Sequence, residues 1–90
     1  MINIQSIQMV LARMAELLYA GGGKDWALVL EKFHGEITNN PTVISARILS
    51  MFGGMGSLND IILYRNGQPL AQENSEFDTL RSKLYELCHE

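Results

Sequence analysis

The sequence predicts a mainly α domain, a small bundle of four helices with a β-hairpin between helices three and four. Three observations carry that prediction. Apolar residues recur at spacings of three and four through most of the 90 residues. Glycine and proline cut this pattern into separate segments. One stretch, "DIILYRNGQPLAQ", changes period, with a β-branched and aromatic run ahead of Asn66-Gly67.

The first helix lies in "NIQSIQMVLARMAELLYAGGG". Ile4, Ile7, Val10, Leu11, Met14, Leu17 and Leu18 form one stripe facing a core, and Ala12 and Ala15 add helix propensity. Gly21 is expected as its left-handed stop, with Tyr19 near the end, where its hydroxyl can stay wet. The second helix begins at Lys24 or Asp25, with Asp25 as cap and as a favourable charge at the positive end of the dipole. Trp26, Val29, Leu30, Phe33 and Ile37 give its apolar face, and Gly35 weakens its last turn. Trp26 reads as core because its periodic partners are apolar; an exposed aromatic there would instead be a binding hot spot.

Asn40-Pro41 opens the third helix, since Pro at the first helical position sacrifices no bonded amide. Val43, Ile44, Ile48, Met51 and Phe52 form its face, and Gly53 closes it. In the hairpin, Asn66 and Gly67 favour a type I′ turn, which sets Leu63 opposite Leu70. Pro69 confines the second strand to a short edge. A lone hairpin is marginal in water, so either the Ile61/Leu63 face or the Ile62/Tyr64 face must rest on the helices. The fourth helix is expected from Ser75, where Ser75 and Asp78 approximate a capping box and Glu76 adds charge to the first turn. Phe77, Leu80, Leu84 and Leu87 are its buried stripe, with Arg81 and Lys83 on more exposed faces. No repeat or long linker divides the chain, so residues 1–90 read as a single small domain.

Composition bounds the partners. A hydrophobic content of 47% argues against disorder over most of the chain. The net charge is −3, and the seven basic residues are scattered singly. Direct nucleic-acid binding, which draws on a basic stripe, is therefore not expected. Cys88 is the only cysteine, which excludes an intramolecular disulfide and fits a reducing compartment. The N-terminus lacks a secretory pattern, and no stretch approaches the roughly 18 consecutive apolar residues of a membrane span. The expectation is a cytoplasmic protein without membrane contact.

The stretch "SMFGGMGSLND" invites a phosphate-site reading, which its details oppose. A Walker loop needs Lys and Ser/Thr after its last glycine, and a dinucleotide turn needs a third glycine where Asn59 stands. Two readings remain. In the architectural one, Gly53 ends a helix, Gly54 and Gly56 permit a reversal, and Ser57, Asn59 or Asp60 bond loop amides. In the other, the bend displays Met55, Leu58, Asn59 and Asp60 for recognition.

Reactive constellations do not assemble. His34, His89 and Cys88 form no metal-ligand spacing, and Cys88 reads as a small hydrophobe near the end of the last helix. Glu31 and Glu36 share no close face, while Glu73, Glu76 and Asp78 read as a capping cluster. No catalytic residue, metal or cofactor is expected, and the chain does not read as an enzyme.

The tryptophan of the second helix, "GGMGSLNDIILYRNGQPL" and the closing "LRSKLYEL" together resemble a small uncharacterised bacterial protein family. The resemblance runs from about Leu11 to Leu87, and its most specific part is the GGMGSxND loop, Gly53-Gly54-Met55-Gly56-Ser57 followed by Asn59-Asp60. It implies a small cytoplasmic bacterial protein and carries over no catalytic residue. Size and acidity are also similar, at the level of class, to immunity proteins of contact-dependent growth inhibition or type VI toxin systems. Such proteins bind a toxin domain and block its active site. The expectation is thus a protein-binding module, an immunity protein for a cognate toxin, with Met55, Asn59, Asp60, Tyr64 and Arg65 as partner contacts. The alternatives are a regulatory homodimer, or a small-ligand-binding domain or weak hydrolase with Ser57 or Asp60 in its site.

Overall fold

The computed structural model describes residues 2–53 and 56–89. Its four helices and short hairpin follow the expected order. Helix α1 (Ile4–Ala20) is capped by Asn3, whose side chain accepts the Ser6 amide at 3.0 Å. Its stripe from Ile7 to Leu18 is buried. The stop differs in detail from expectation. Gly21 has a φ of −105°, and the left-handed value, +84°, falls on Gly22. Gly21 serves close approach instead: a Cβ there would lie 2.6 Å from the Leu63 Cβ.

Helix α2 (Lys24–Glu36) is preceded by Gly23, so Asp25 is not its cap. The Gly23 amide bonds the Leu18 carbonyl at 2.7 Å, which fixes the entry to α2 before Asp25 is reached. Asp25 sits in the first turn and retains its charge role. Ala27, Leu30 and Ile37 are buried, Trp26 and Phe33 pack partly against the core, and Val29 is exposed. Helix α3 (Pro41–Ser50) buries Ile44, Ser45 and Ile48 and leaves Val43 exposed. Pro41 occupies the first turn as expected; Asn40 holds the cap position without a side-chain capping bond. The helix ends before Gly53, with the Met51 and Phe52 amides closing on Ile48 and Leu49.

Strands β1 (Tyr64–Arg65) and β2 (Gln68–Pro69) pair antiparallel, Tyr64 opposite Pro69 and Arg65 opposite Gln68. Asn66 and Gly67 have φ values of 52° and 75°, as a type I′ turn requires. The Leu70 amide bonds the Leu63 carbonyl at 3.0 Å. Tyr64 and Pro69 are therefore a non-hydrogen-bonded pair, and Pro69 lacks a donor where the ladder needs none. The Ile61/Leu63 face is the one turned inward: Leu63 is fully buried and Ile61 half-buried.

Helix α4 (Ala71–His89) starts four residues ahead of Ser75. Leu70, held against Leu63, opens it by accepting the Asn74 amide at 2.8 Å. Ser75 and Asp78 thus lie inside the helix, and no capping box forms. The acidic residues assigned to capping divide: Glu73 is in the first turn, Asp78 pairs with Arg81, and Glu76 reaches across to α1. There it accepts two bonds from Arg13, at 2.6 and 2.9 Å. That pairing holds the Glu76 carboxyl below the usual carboxylate range and raises Arg13.

Helix α1 is central, packing on α2 and α4, while α4 also packs on α3. Their shared core gathers Leu11, Met14, Leu30, Ile48, Phe77 and Leu84. Cys88 joins it, and burial pushes its thiol up to about 11 against a smaller opposing pull from the Ser45 hydroxyl. Ser45 Oγ itself has no hydrogen-bond partner, so this polar contact inside the core is weak. No helix among the described residues is long and apolar enough to cross a membrane.

Candidate functional site

The expected contact residues lie on two successive segments that behave differently. The first is the 3-10 turn Leu58–Asp60 with its approach. Gly56 has a φ of +71°, which places its amide under Asp60, whose Oδ2 accepts it at 2.8 Å. Ser57 Oγ accepts the Asn59 amide at 3.3 Å, and Asn59 Nδ2 donates to the Phe52 carbonyl. The Leu58 amide bonds the Met51 carbonyl at 2.9 Å. Leu58 is fully buried, so it is not displayed as the recognition reading expected. Asn59 and Asp60 are exposed, but their polar groups hold the turn together. Met55 lies outside the described residues.

Arg81 completes this anchoring from α4. It donates to the Leu58 carbonyl at 3.1 Å, pairs with Asp78 and stands 5.6 Å from the Phe77 ring centroid. Its side chain is largely buried, contrary to the exposed face expected from helical spacing. Beside it, Phe52, Asn59, Ser82, Tyr85 and Glu86 line a cleft of about 390 Å³. Phe52 meets Tyr85 edge-on, with ring centroids 5.3 Å apart. Tyr64 and Arg65 are not in its walls, so the structure does not gather the expected contacts into one pocket.

The second segment is Ile61–Arg65. It is held from outside itself at two residues: the Tyr64 amide bonds the Gly21 carbonyl at 3.0 Å, and Leu63 is bonded by Leu70 and by the Asn74 side chain. Strand alternation then turns Leu63 inward and its neighbours outward. Ile62 is 55% exposed and Tyr64 46%, and Arg65 is exposed beyond them. Arg65 takes part in no ion pair among the described residues. Sequence reasoning selected Tyr64 and Arg65 and passed over Ile62, whose alternation with buried Leu63 was the available signal.

A further groove of about 410 Å³ separates α1 from α2, lined by Ala12, Ala15, Glu16, Tyr19, Glu31 and His34. Tyr19 donates its hydroxyl to Glu31 at 2.5 Å, and this bond, with burial, raises the phenol above its usual range. Such a tyrosine stays protonated at neutral pH, a donor rather than a base. Among the described residues no group of three or more His, Cys, Asp or Glu converges as metal ligands would.

Residues 20–71, more than half of the chain, match the family model described as Domain of unknown function (DUF6966). The chain belongs to the DUF6966 family. The matched span runs from the end of α1 through α2, α3 and the hairpin to the start of α4. It contains all five expected contact residues and Ile62. Neither the curated proteins nor the solved structures offer a match to the chain. The DUF6966 span does not include the buried stripe of α1 or Phe77 and Leu84 of α4, which complete the core around it.

Proposed function

We propose that this DUF6966 chain is a protein-binding module whose contact surface is the outward side of Ile62–Arg65. The observation that supports this reading is the combination of fixed backbone and free side chains. Ile62 and Tyr64 stand half-exposed on one side of a segment whose Leu63 is fully buried and held by three hydrogen bonds from Leu70 and Asn74. A surface already held in place loses little freedom on binding, which favours affinity. Tyr and Arg are also the residue types that dominate binding energy when a partner desolvates them. Arg65 calls for a carboxylate or carbonyl on the partner beside an apolar recess for Ile62 and Tyr64.

In its most concrete form this module is an immunity protein that occludes a cognate toxin domain. That form draws on the class-level similarity in size and mild acidity, with the net charge of −3 suited to a basic toxin. Co-expression with the product of the adjacent gene tests it. The expected result is a stable complex and relief of growth arrest, both lost with Tyr64→Ala plus Arg65→Glu in a chain that still folds. No complex and no relief, or relief indifferent to those substitutions, contradicts the proposal.

A further inference from the structure

Ile61 is extended, with φ −74° and ψ 129°, and inward and outward residues alternate from Ile62 to Tyr64, although the paired strands begin only at Tyr64. A side chain takes the place of a neighbouring strand. The Leu63 amide donates to Asn74 Oδ1 at 2.8 Å, and Asn74 Nδ2 donates back to the Leu63 carbonyl at 3.0 Å. A carboxamide carries the same donor and acceptor as a peptide group, so one asparagine supplies both bonds that a β-partner would give. Asn74 is itself seated in the first turn of α4, its amide on the Leu70 carbonyl at 2.8 Å. The hairpin folds Leu70 back onto Leu63 at 3.0 Å, which brings the Asn74 side chain to the segment.

We propose that Asn74 is a positioning residue for the contact surface. It holds the Leu63 backbone in the orientation that buries Leu63 against Gly21 and points Ile62 and Tyr64 outward. Because faces alternate residue by residue, rotation at Leu63 would misdirect both neighbours at once. The remaining bonds, Leu70 to Leu63 and Tyr64 to Gly21, both act on the Leu63–Tyr64 peptide group, whereas the Leu63 amide, on the Ile62 side, is held among the described residues by Asn74. The proposal rests on Ile62–Arg65 being the contact surface, while its test reads the free protein and uses no partner.

The test is NMR relaxation on the full chain as wild type, Asn74→Ala and Asn74→Asp. In Asn74→Ala, backbone order parameters of Ile61–Tyr64 are expected to fall from about 0.85 to below about 0.6, with α1 unchanged. In Asn74→Asp at pH 7 the introduced carboxylate still accepts the Leu63 amide but opposes the Leu63 carbonyl, and a similar loss is expected. Acid reverses it, because the protonated carboxyl can donate to that carbonyl. The repulsion raises the folded pKa of this carboxyl above its unfolded value of about 3.9. The ordered form is therefore fully present below the unfolded value and is lost as pH rises through the folded one. Each comparison is made with wild type at the same pH.

Should Asn74→Asp fold at pH 7 but be too unstable for relaxation measurements, its melting temperature relative to wild type becomes the reading. A deficit that narrows by about 5 °C or more between pH 7 and pH 3.5 supports the proposal, and an unchanged deficit overturns it. A rigid Ile61–Tyr64 segment in Asn74→Ala also overturns it, even with lowered stability, since Asn74 would then only stabilise the start of α4. So does a loss in Asn74→Asp that acid leaves in place. The contact reading fails separately, through partner binding that ignores Tyr64→Ala.

Discussion

The turn at Leu58–Asp60 and the segment Ile61–Arg65 adjoin in sequence and both reach solvent, yet they use their residues in opposite ways. In the turn, the exposed side chains of Asn59 and Asp60 bond the chain's own backbone, and the apolar Leu58 is buried. In the segment, the backbone is bonded by Gly21, Leu70 and Asn74, and the exposed side chains Ile62 and Tyr64 remain available. Exposure and availability are different properties. The turn spends its polar side chains on its own backbone, and the segment leaves its outward side chains free for the proposed contact surface.

This contrast can be broken by substitution, beginning with the anchor that serves the segment. Leu63→Ala removes a fully buried side chain against Gly21 and is expected to cost about 2–5 kcal/mol, measured by urea unfolding. Gly21→Ala approaches the same contact from the other side. Its Cβ would meet Leu63 Cβ at 2.6 Å, so a loss of about 1–3 kcal/mol is expected, with the shift in NMR spectra centred on Leu63 and Tyr64. Asp60→Ala removes the acceptor of the Gly56 amide and should cost about 0.5–1.5 kcal/mol. Tyr64→Ala, at a half-exposed position, should stay within about 0.5 kcal/mol of wild type. A Tyr64 substitution as damaging to stability as Asp60→Ala would erase the distinction between the two regions.

The elements that were legible from sequence are those with local causes. Asn66-Gly67 set the turn and thereby the Leu63–Leu70 pairing, because positive φ at two successive residues is written in those two residue types. Asn40-Pro41 likewise placed the start of α3. The start of α4 was illegible because it depends on Leu70 and Asn74 meeting Leu63, a contact made through the fold. Gly21 carried a similar ambiguity: sequence marks a glycine as special, but only the approach of Leu63 says whether conformation or space is the reason. Arg81 looked like a surface cation on helical spacing, and its carbonyl partner at Leu58 is 23 positions away. Of the expected contact residues, Tyr64 and Arg65 stand exposed on the surface, with Arg65 in no ion pair among the described residues. Asn59 and Asp60 were legible as loop-bonding groups, the architectural alternative.

Titration provides a weaker probe outside the contrast. Glu76, depressed by Arg13, contributes stability that is present above its unfolded value near 4.5 and is lost as pH falls through the folded value. Arg13→Ala should flatten that acid limb in a pH series of melting temperatures. Cys88 behaves in the opposite sense. Its thiol, raised to about 11, is stabilising below the unfolded value near 9 and loses that contribution as pH rises toward 11. Alkylation of native Cys88 at pH 8 should accordingly run far slower than in urea, and equal rates would contradict its burial.

The most direct measurement is the affinity of the adjacent-gene product for wild type, Tyr64→Ala and Asp60→Ala, by titration calorimetry. Tyr64→Ala should weaken binding by about thirtyfold, some 2 kcal/mol, without lowering the melting temperature. Asp60→Ala should lower the melting temperature and change affinity by less than about threefold. The reverse pattern, with the turn controlling affinity and Tyr64 indifferent, would contradict a contact surface carried by Ile62–Arg65.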